Sequence, residues 1–283
     1  MNIEFADLIV TCCQLSEPDL RSYIKQVLIE RDFSIQEDSY ISPRGGEYLN
    51  IHNLLAIRGN PKVCLVSHTD VCRDHDKFQG WLPNETAPEY KVEPVIKDLM
   101  HFNELVLVVQ DKECLAQVGG DDRAGVAVLL WLALKTELPI GILLTTDEEI
   151  GLISAKEVAF PELINFDLLI QIDRGNQQNH QIVTKISQLN LCDQNLAKSL
   201  IELAKIKGKP REEVIGGGTD VFAIKLNGKC KNAINLTCGY HNSLSSNPYE
   251  YIVIHELEET MEYVKDIIEF LSMGIENFVT AIN

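Results

Sequence analysis

Four runs of strand length recur along the chain and are almost wholly apolar: Val63-Cys64-Leu65-Val66, Ile140-Gly141-Ile142-Leu143-Leu144, Leu168-Leu169-Ile170-Gln171-Ile172 and Ala233-Ile234-Asn235-Leu236. A strand without polar alternation must be covered on both faces, and a parallel sheet flanked by helices supplies that cover. Helical patterns fall between and around these runs. Ser16 before Glu17 and Pro18 marks a helix start, and Leu20, Tyr23, Ile24, Val27 and Leu28 give one apolar face over roughly 17–31. Ala124 to Leu134 is apolar all round, as in a buried helix. Leu196, Leu200 and Leu203 mark another, and a last helix runs from about His255 to Met273. A further short strand is expected at Leu54 to Ile57. Strands alternating with helices predict an α/β fold, a three-layer sandwich with a largely parallel mixed central sheet flanked by helices.

The stretch 73–118 is polar, carries Pro83, Pro88 and Pro94, and has one strong apolar run, Leu105 to Val109. It reads as an excursion of β-hairpin type. With no repeat, low-complexity segment or linker elsewhere, residues 1–283 are expected to form a single catalytic domain. The charge balance is 25 Lys+Arg against 42 Asp+Glu, a net −17, which excludes electrostatic attraction to nucleic acid or anionic membranes as the basis of function. No run reaches the roughly 18 to 20 apolar residues of a membrane span, and the start lacks the positive flank of a secretory signal. Eight cysteines, most in apolar runs and none in a Cys-x-x-Cys pair, read as free thiols of a soluble cytoplasmic protein.

Each of the four apolar runs ends in the same chemistry. His68 and Asp70 follow the first, Glu148 and Glu149 the second, Asp173 the third and His241 the fourth, while Asp121 precedes a helix. Ligand sites of open α/β sheets lie beyond the carboxyl ends of the strands, so a parallel sheet gathers these residues at one rim. Singly they have ordinary readings: Glu148-Glu149 as a solvated turn, Asp121-Asp122 as a helix cap, His68 as a structural histidine. Together, so many carboxylates at one rim repel one another unless a cation neutralises them. Imidazole and carboxylate ligands without thiolate suit a catalytic zinc, manganese or cobalt ion. Five ligands exceed the needs of one ion and fit two.

His68-Thr69-Asp70, Gly120-Asp121-Asp122-Arg123-Ala124-Gly125, Asp147-Glu148-Glu149-Ile150-Gly151, Ile172-Asp173, Gly217-Gly218-Thr219-Asp220 and Gly239-Tyr240-His241 resemble, in order, the motifs of the co-catalytic dizinc exopeptidases. That superfamily includes leucyl aminopeptidases, peptidase T-type tripeptidases and carboxypeptidase G-like enzymes. The resemblance implies that His68 and Asp173 hold one metal, Glu149 and His241 the other, and that Asp121 bridges them. Asp70 would orient His68, and Glu148 would be the general base toward a water between the metals. Asp122 matches a position where the family often has a cis peptide. Arg174, Gly217, Thr219 and Tyr240 are candidate substrate contacts, with Asn242 and Tyr249 nearby.

Three departures stand out. Only 43 positions separate Asp173 from Gly216, too few for the lid or dimerisation domain that the two-domain relatives insert there. Ile215 stands where carboxylate-binding relatives often have arginine, although Arg174 could supply a cation that forks onto a carboxylate. The segment 242–249 is longer than the family spacer. His75, beside Asp74 and Asp76, could line the cleft, while His52, His101, His180 and His255 read as surface residues. The expected function is a dizinc aminopeptidase acting on short peptides. The alternatives are an N-acyl amino acid deacylase or carboxypeptidase, and a non-catalytic metal-binding relative. Oligomeric state is left open.

Overall fold

The computed structural model describes residues 3–71, 92–99, 102–109, 118–175, 180–243 and 250–273. His75, His101, Tyr249, Cys72, Cys114 and much of the 73–118 excursion lie outside them.

The chain opens with two helices, α1 (Ile3–Gln14) and α2 (Glu17–Glu30). The Ser16 side chain caps α2 by accepting from the Asp19 N–H at 3.3 Å. Strands β1 (Ser34–Glu37), β2 (Leu54–Arg58) and β3 (Val63–His68) follow, then the antiparallel hairpin β4 (Val92–Leu99) and β5 (Phe102–Val109). Next come α3 (Gly120–Lys135), β6 (Ile140–Thr145), α4 (Ile153–Glu157), β7 (Leu168–Arg174), β8 (Gln181–Ile186) and β9 (Leu189–Asn190). The chain continues through α5 (Gln194–Ile206), β10 (Glu212–Gly216), α6 (Asp220–Leu226), β11 (Ala233–Thr237), β12 (Tyr240–His241), β13 (Tyr251–Val253) and α7 (Ile254–Met273).

The main sheet runs β1-β2-β6-β3-β7-β11-β8-β10, with β9 on β8. Its centre, β6-β3-β7-β11, is parallel, while β2 and β8 join it antiparallel. This is the mixed, largely parallel sheet that the four apolar runs predict, and those runs form its four central strands. A small second sheet, β12-β13-β5-β4, ties the hairpin to the chain after β11.

Strand alternation divides the core into two layers. Leu65, Ile142, Ile170 and Ile234 face a large cluster with α1, α2, α3, α5 and α7, while Cys64, Val66, Leu143 and Leu169 face a smaller one with α4 and α6. Helix α3 is buried along most of its length, Ala124 to Ala133 included, which explains its uniform apolarity. Each fully buried leucine contributes about 1.5–3 kcal/mol. Gly125 lets α3 approach β7, since a Cβ there would lie 2.4 Å from the Ile172 carbonyl oxygen. The cysteines of the described residues are free and buried, and no described helix is long and apolar enough to cross a membrane.

The helix α1 and the strands β1, β8 and β10 were not foreseen. Strand β10 is a sheet edge, largely exposed, and so lacks the apolar pattern that reveals central strands.

Candidate metal centre

Register brings the strand ends together. His68 pairs with Thr145 across the parallel β3–β6 ladder, and the Thr69 N–H donates to the Thr145 carbonyl at 3.1 Å. His68-Thr69-Asp70 therefore lies beside the turn that carries Glu148 and Glu149. Strand β7, parallel to β3, delivers Asp173 to the same rim. Asp121 enters from the start of α3, where the Asp121–Asp122 peptide is cis, at the position singled out by the motif. The backbone is non-helical at Asp121 and Asp122, and Asp122 caps the helix proper by accepting from the Gly125 N–H at 3.2 Å, which leaves the Asp121 side chain for the rim.

Three of the five predicted ligands meet in one group. The Nε2 of His68 lies 3.1 Å from Asp121 Oδ1 and 3.7 Å from Asp173 Oδ1, and the three residues offer ligand atoms within 4.8 Å of one another. The other ring nitrogen of His68 faces Asp70, at 2.9 Å from its carbonyl and 3.3 Å from Oδ1. The Asp70 carboxylate also accepts from the backbone N–H groups of Glu148 at 3.2 Å and Glu149 at 3.1 Å. One buried carboxylate thus fixes both an imidazole and the acidic turn. Asp173 is held by Gln171, Thr219 and Tyr240 at 3.0, 3.1 and 3.2 Å, and Asp121 by Ser243 at 3.1 Å.

Glu149 and His241 stand outside that group. One oxygen of Glu149 is buried without a hydrogen-bond partner. His241 Nε2 lies 2.8 Å from Glu256, and its ring stacks on Tyr251 with centroids 5.0 Å apart. Of the candidate substrate contacts, Arg174, Gly217 and Tyr240 line an open cleft of about 270 Å³, together with Asp121, Glu148, Glu149 and Asp173. A Cβ on Gly217 would meet no atom within 4 Å, so the glycine keeps the cleft clear. Thr219 is 1% exposed, and its hydroxyl goes to Asp173 rather than into the cleft. As the N-cap of α6 it makes no side-chain cap bond; its oxygen accepts from Asn235 at 3.4 Å while its proton goes to Asp173. Arg174 donates from Nε to Gln181 Oε1 at 2.6 Å. His180 is half-buried against Glu259, and His255 is exposed at the start of α7.

The electrostatics of the rim are those of a cation site. Burial, then the Asp121 charge, pushes Asp173 up to about 6 and raises Glu149 well above the usual carboxylate range. Burial, with neighbouring acids, raises Glu148 in the same way and takes Asp220 to about 7. Against burial, hydrogen bonds to Asp121, Asp173 and Asp70 lift His68 well above its ordinary value. Mutually repelling carboxylates beside an oriented imidazole, one with an unpartnered buried oxygen, fit a divalent ion.

Some contributors carry no motif signal. Glu250 accepts from Gly119 N–H at 2.7 Å and Gly120 N–H at 3.0 Å, holding the chain that leads to Asp121, and burial pushes its pKa up to about 7. Ser243 and Glu256 likewise act only through the fold. Their partners lie 122 and 15 positions away in sequence.

The fold is shared with solved peptidases. Aminopeptidase PepT from Bacillus cereus is 15% identical with a TM-score of 0.71, over 96% of this chain and 99% of that one. A tripeptidase from Staphylococcus aureus is 17% identical with a TM-score of 0.67, over 95% and 98%. The Pyrococcus horikoshii TET1 peptidase, which assembles into a tetrahedron or an octahedral shell, is 14% identical with a TM-score of 0.60, over 93% and 99%. No curated protein matches significantly. The family model of M42 glutamyl aminopeptidase matches residues 84–262, more than half of the sequence, and the chain belongs to that family.

Proposed function

We propose that this chain is a metal-dependent aminopeptidase of short peptides in which Glu148 is the general base. The observation that carries the reading is the junction at Asp70, which holds His68 and the Glu148–Glu149 backbone with one carboxylate. His68 and Asp173 would hold one ion, Asp121 would bridge, and Glu149 and His241 would complete a second site, with Glu256 orienting the His241 imidazole. Zinc is the first choice, and manganese and cobalt share its ligand preferences. When bound, such ions polarise a carbonyl and acidify water.

The protein's own groups do the rest. Glu148, raised by burial, takes a proton from water at the cleft and returns it to the departing amine, a role that favours a carboxylate tuned toward neutral pH. Asp70 anchors its backbone and so sets its position. The surrounding acids attract a free α-ammonium group, which favours an N-terminal over an N-acylated substrate. The chain acts as one catalytic unit bearing the 73–118 excursion, without a separate lid, in a cytoplasmic setting consistent with its free thiols.

The test is hydrolysis of di- and tripeptides, half of them N-acetylated, by zinc-, manganese- and cobalt-loaded protein and by Glu148→Gln. Removal of N-terminal residues from free-amine peptides, lost in the variant, is expected. Preference for the acetylated members would make the enzyme a deacylase, and metal binding without turnover would make it a binding protein.

A further inference from the structure

The acidic cleft contains one conspicuous opposite charge. Among its described lining residues Arg174 is the only cation, sharing the cleft with Asp121, Glu148, Glu149 and Asp173. Among the described residues no carboxylate lies within ion-pair distance of it. Its guanidinium is nevertheless fixed, because Nε donates to Gln181 Oε1 at 2.6 Å. Gln181 is itself buried, 8% exposed, and its backbone exchanges hydrogen bonds with the Thr237 hydroxyl at 2.5 and 3.1 Å. Tyr240 packs so closely against the next residue that a Cβ on Gly175 would fall 1.7 Å from its ring. An arginine held through Nε presents its two terminal nitrogens as a planar fork, the geometry that matches a carboxylate.

Its position defines what it can reach. Arg174 ends β7, and Gln181 begins β8, with β11 between them in the sheet. Strands lie ~4.8 Å apart, so a guanidinium bridging these ends sits roughly 5–10 Å from the β7 axis, toward the glycine loop and away from His68 on β3. A peptide residue spans ~3.4 Å. A carboxylate at the fork therefore belongs to a chain extending only a few residues beyond the group held at Asp121 and Asp173.

Resting on the aminopeptidase reading, we propose that Arg174 is a specificity-determining subsite for the free C-terminal carboxylate, so that the enzyme selects di- and tripeptides. The acidic wall takes the ammonium end, and the arginine takes the carboxylate end. Longer chains place the carboxylate out of reach. Selection by length then needs no lid.

The experiment compares Ala-Ala-Ala, its C-terminal amide and Glu-Ala-Ala amide, with wild type, Arg174→Met and Arg174→Lys, reading kcat and KM separately. Wild type is expected to prefer the free acid. Arg174→Met should lower kcat/KM for that substrate by about 10- to 100-fold, the range for losing a hydrogen bond to a charged group. The amide should change less than about twofold, and Lys should recover part of the loss. Equal losses on acid and amide would reduce Arg174 to a structural role and overturn the proposal. So would selectivity that follows the glutamyl side chain instead of the terminus.

A second measurement separates this inference from the one it rests on. Calorimetric titration of metal-loaded Glu148→Gln with Ala-Ala-Ala and with its amide reports carboxylate recognition without turnover. Tighter binding of the acid, lost in Glu148→Gln/Arg174→Met, supports the subsite even if no peptide is cut. Equal affinities would overturn it even if the enzyme is active.

Discussion

Two groups of buried acids lie side by side at the ends of β3 and β6, and they are compensated in opposite ways. Beneath the rim, Glu17 meets Arg44 at 2.6 Å and Asp147 meets the same guanidinium at 2.5 Å, with these side chains 2% exposed or less. Thr69 and Thr146 donate to Glu17 at 2.7 and 2.6 Å, and Arg21 reaches Thr69 at 2.8 Å. On the rim, Asp121, Glu148, Glu149 and Asp173 face one another, with His68 as the imidazole among them. The floor answers its negative charge with arginine, whereas the rim leaves its own for something bound. Burial is common to both regions, so burial alone does not mark the candidate site; what differs is that, among the described residues, no guanidinium pairs with the rim acids as Arg44 does with the floor.

The largest effect expected from breaking this contrast is on turnover. Glu148→Gln should lower kcat by roughly 10²- to 10⁴-fold while leaving metal content unchanged by elemental analysis. Because it removes one acid from a repelling cluster, the metal-free variant should melt no lower than wild type. Loss of folding in Glu148→Gln would place that residue with the floor.

Arg44→Met attacks the floor. It removes the guanidinium that pairs with buried Glu17 and Asp147, and removing one partner of a buried pair costs about 3–5 kcal/mol. Urea unfolding of the metal-free protein should show that loss. An unchanged midpoint would mean that the floor is not the compensated region described above.

A pH series sharpens the comparison. Asp173, Asp220 and Glu250 have folded pKa values of about 6, 7 and 7, above the usual 3.8 to 4.5 of the same groups. Between those values the folded state binds more protons than the unfolded one, so stability falls as pH rises. His68, raised as well, acts in the same direction, while Asp121, lowered despite burial by its bonds to His68, titrates below this range and adds no slope to it. Metal-free protein is therefore expected to lose stability between pH 5 and pH 7.5, read as a falling Tm, and saturating zinc should remove or reverse the slope. A metal-free Tm that rises with pH would show that the rim is compensated from within.

The smallest effect is expected at Thr219→Val. It deletes one bond to Asp173 and should weaken metal binding about tenfold in a chelator competition, with little change in Tm. A large loss of Tm would assign the hydroxyl to α6 rather than to the ligand.

Much of this protein was legible before any fold was known, and the reason is periodicity. Central strands buried on both faces read as continuous apolar runs, and the residues that follow them, with Asp121 at a helix start, gather at one rim, so His68, Asp121, Glu148, Glu149 and Asp173 could be named from the chain as candidates. Exposed strands such as β10 and the two-residue β12 have no such pattern. Arg44 and Glu17 sit in unremarkable polar sequence, and Glu250 precedes a three-residue strand.

The sequence by itself determined the α/β class, the parallel centre and the order of the acidic and histidine motifs, because each is encoded locally in side-chain spacing. Only the tertiary structure decided that Asp70 ties His68 to the Glu148–Glu149 turn, that Thr219 turns its hydroxyl to Asp173, that His241 leans on Glu256, and that Arg174 is braced by Gln181. Those relations join strands paired across the sheet or segments distant in the chain. They depend on register and packing, which no local pattern records.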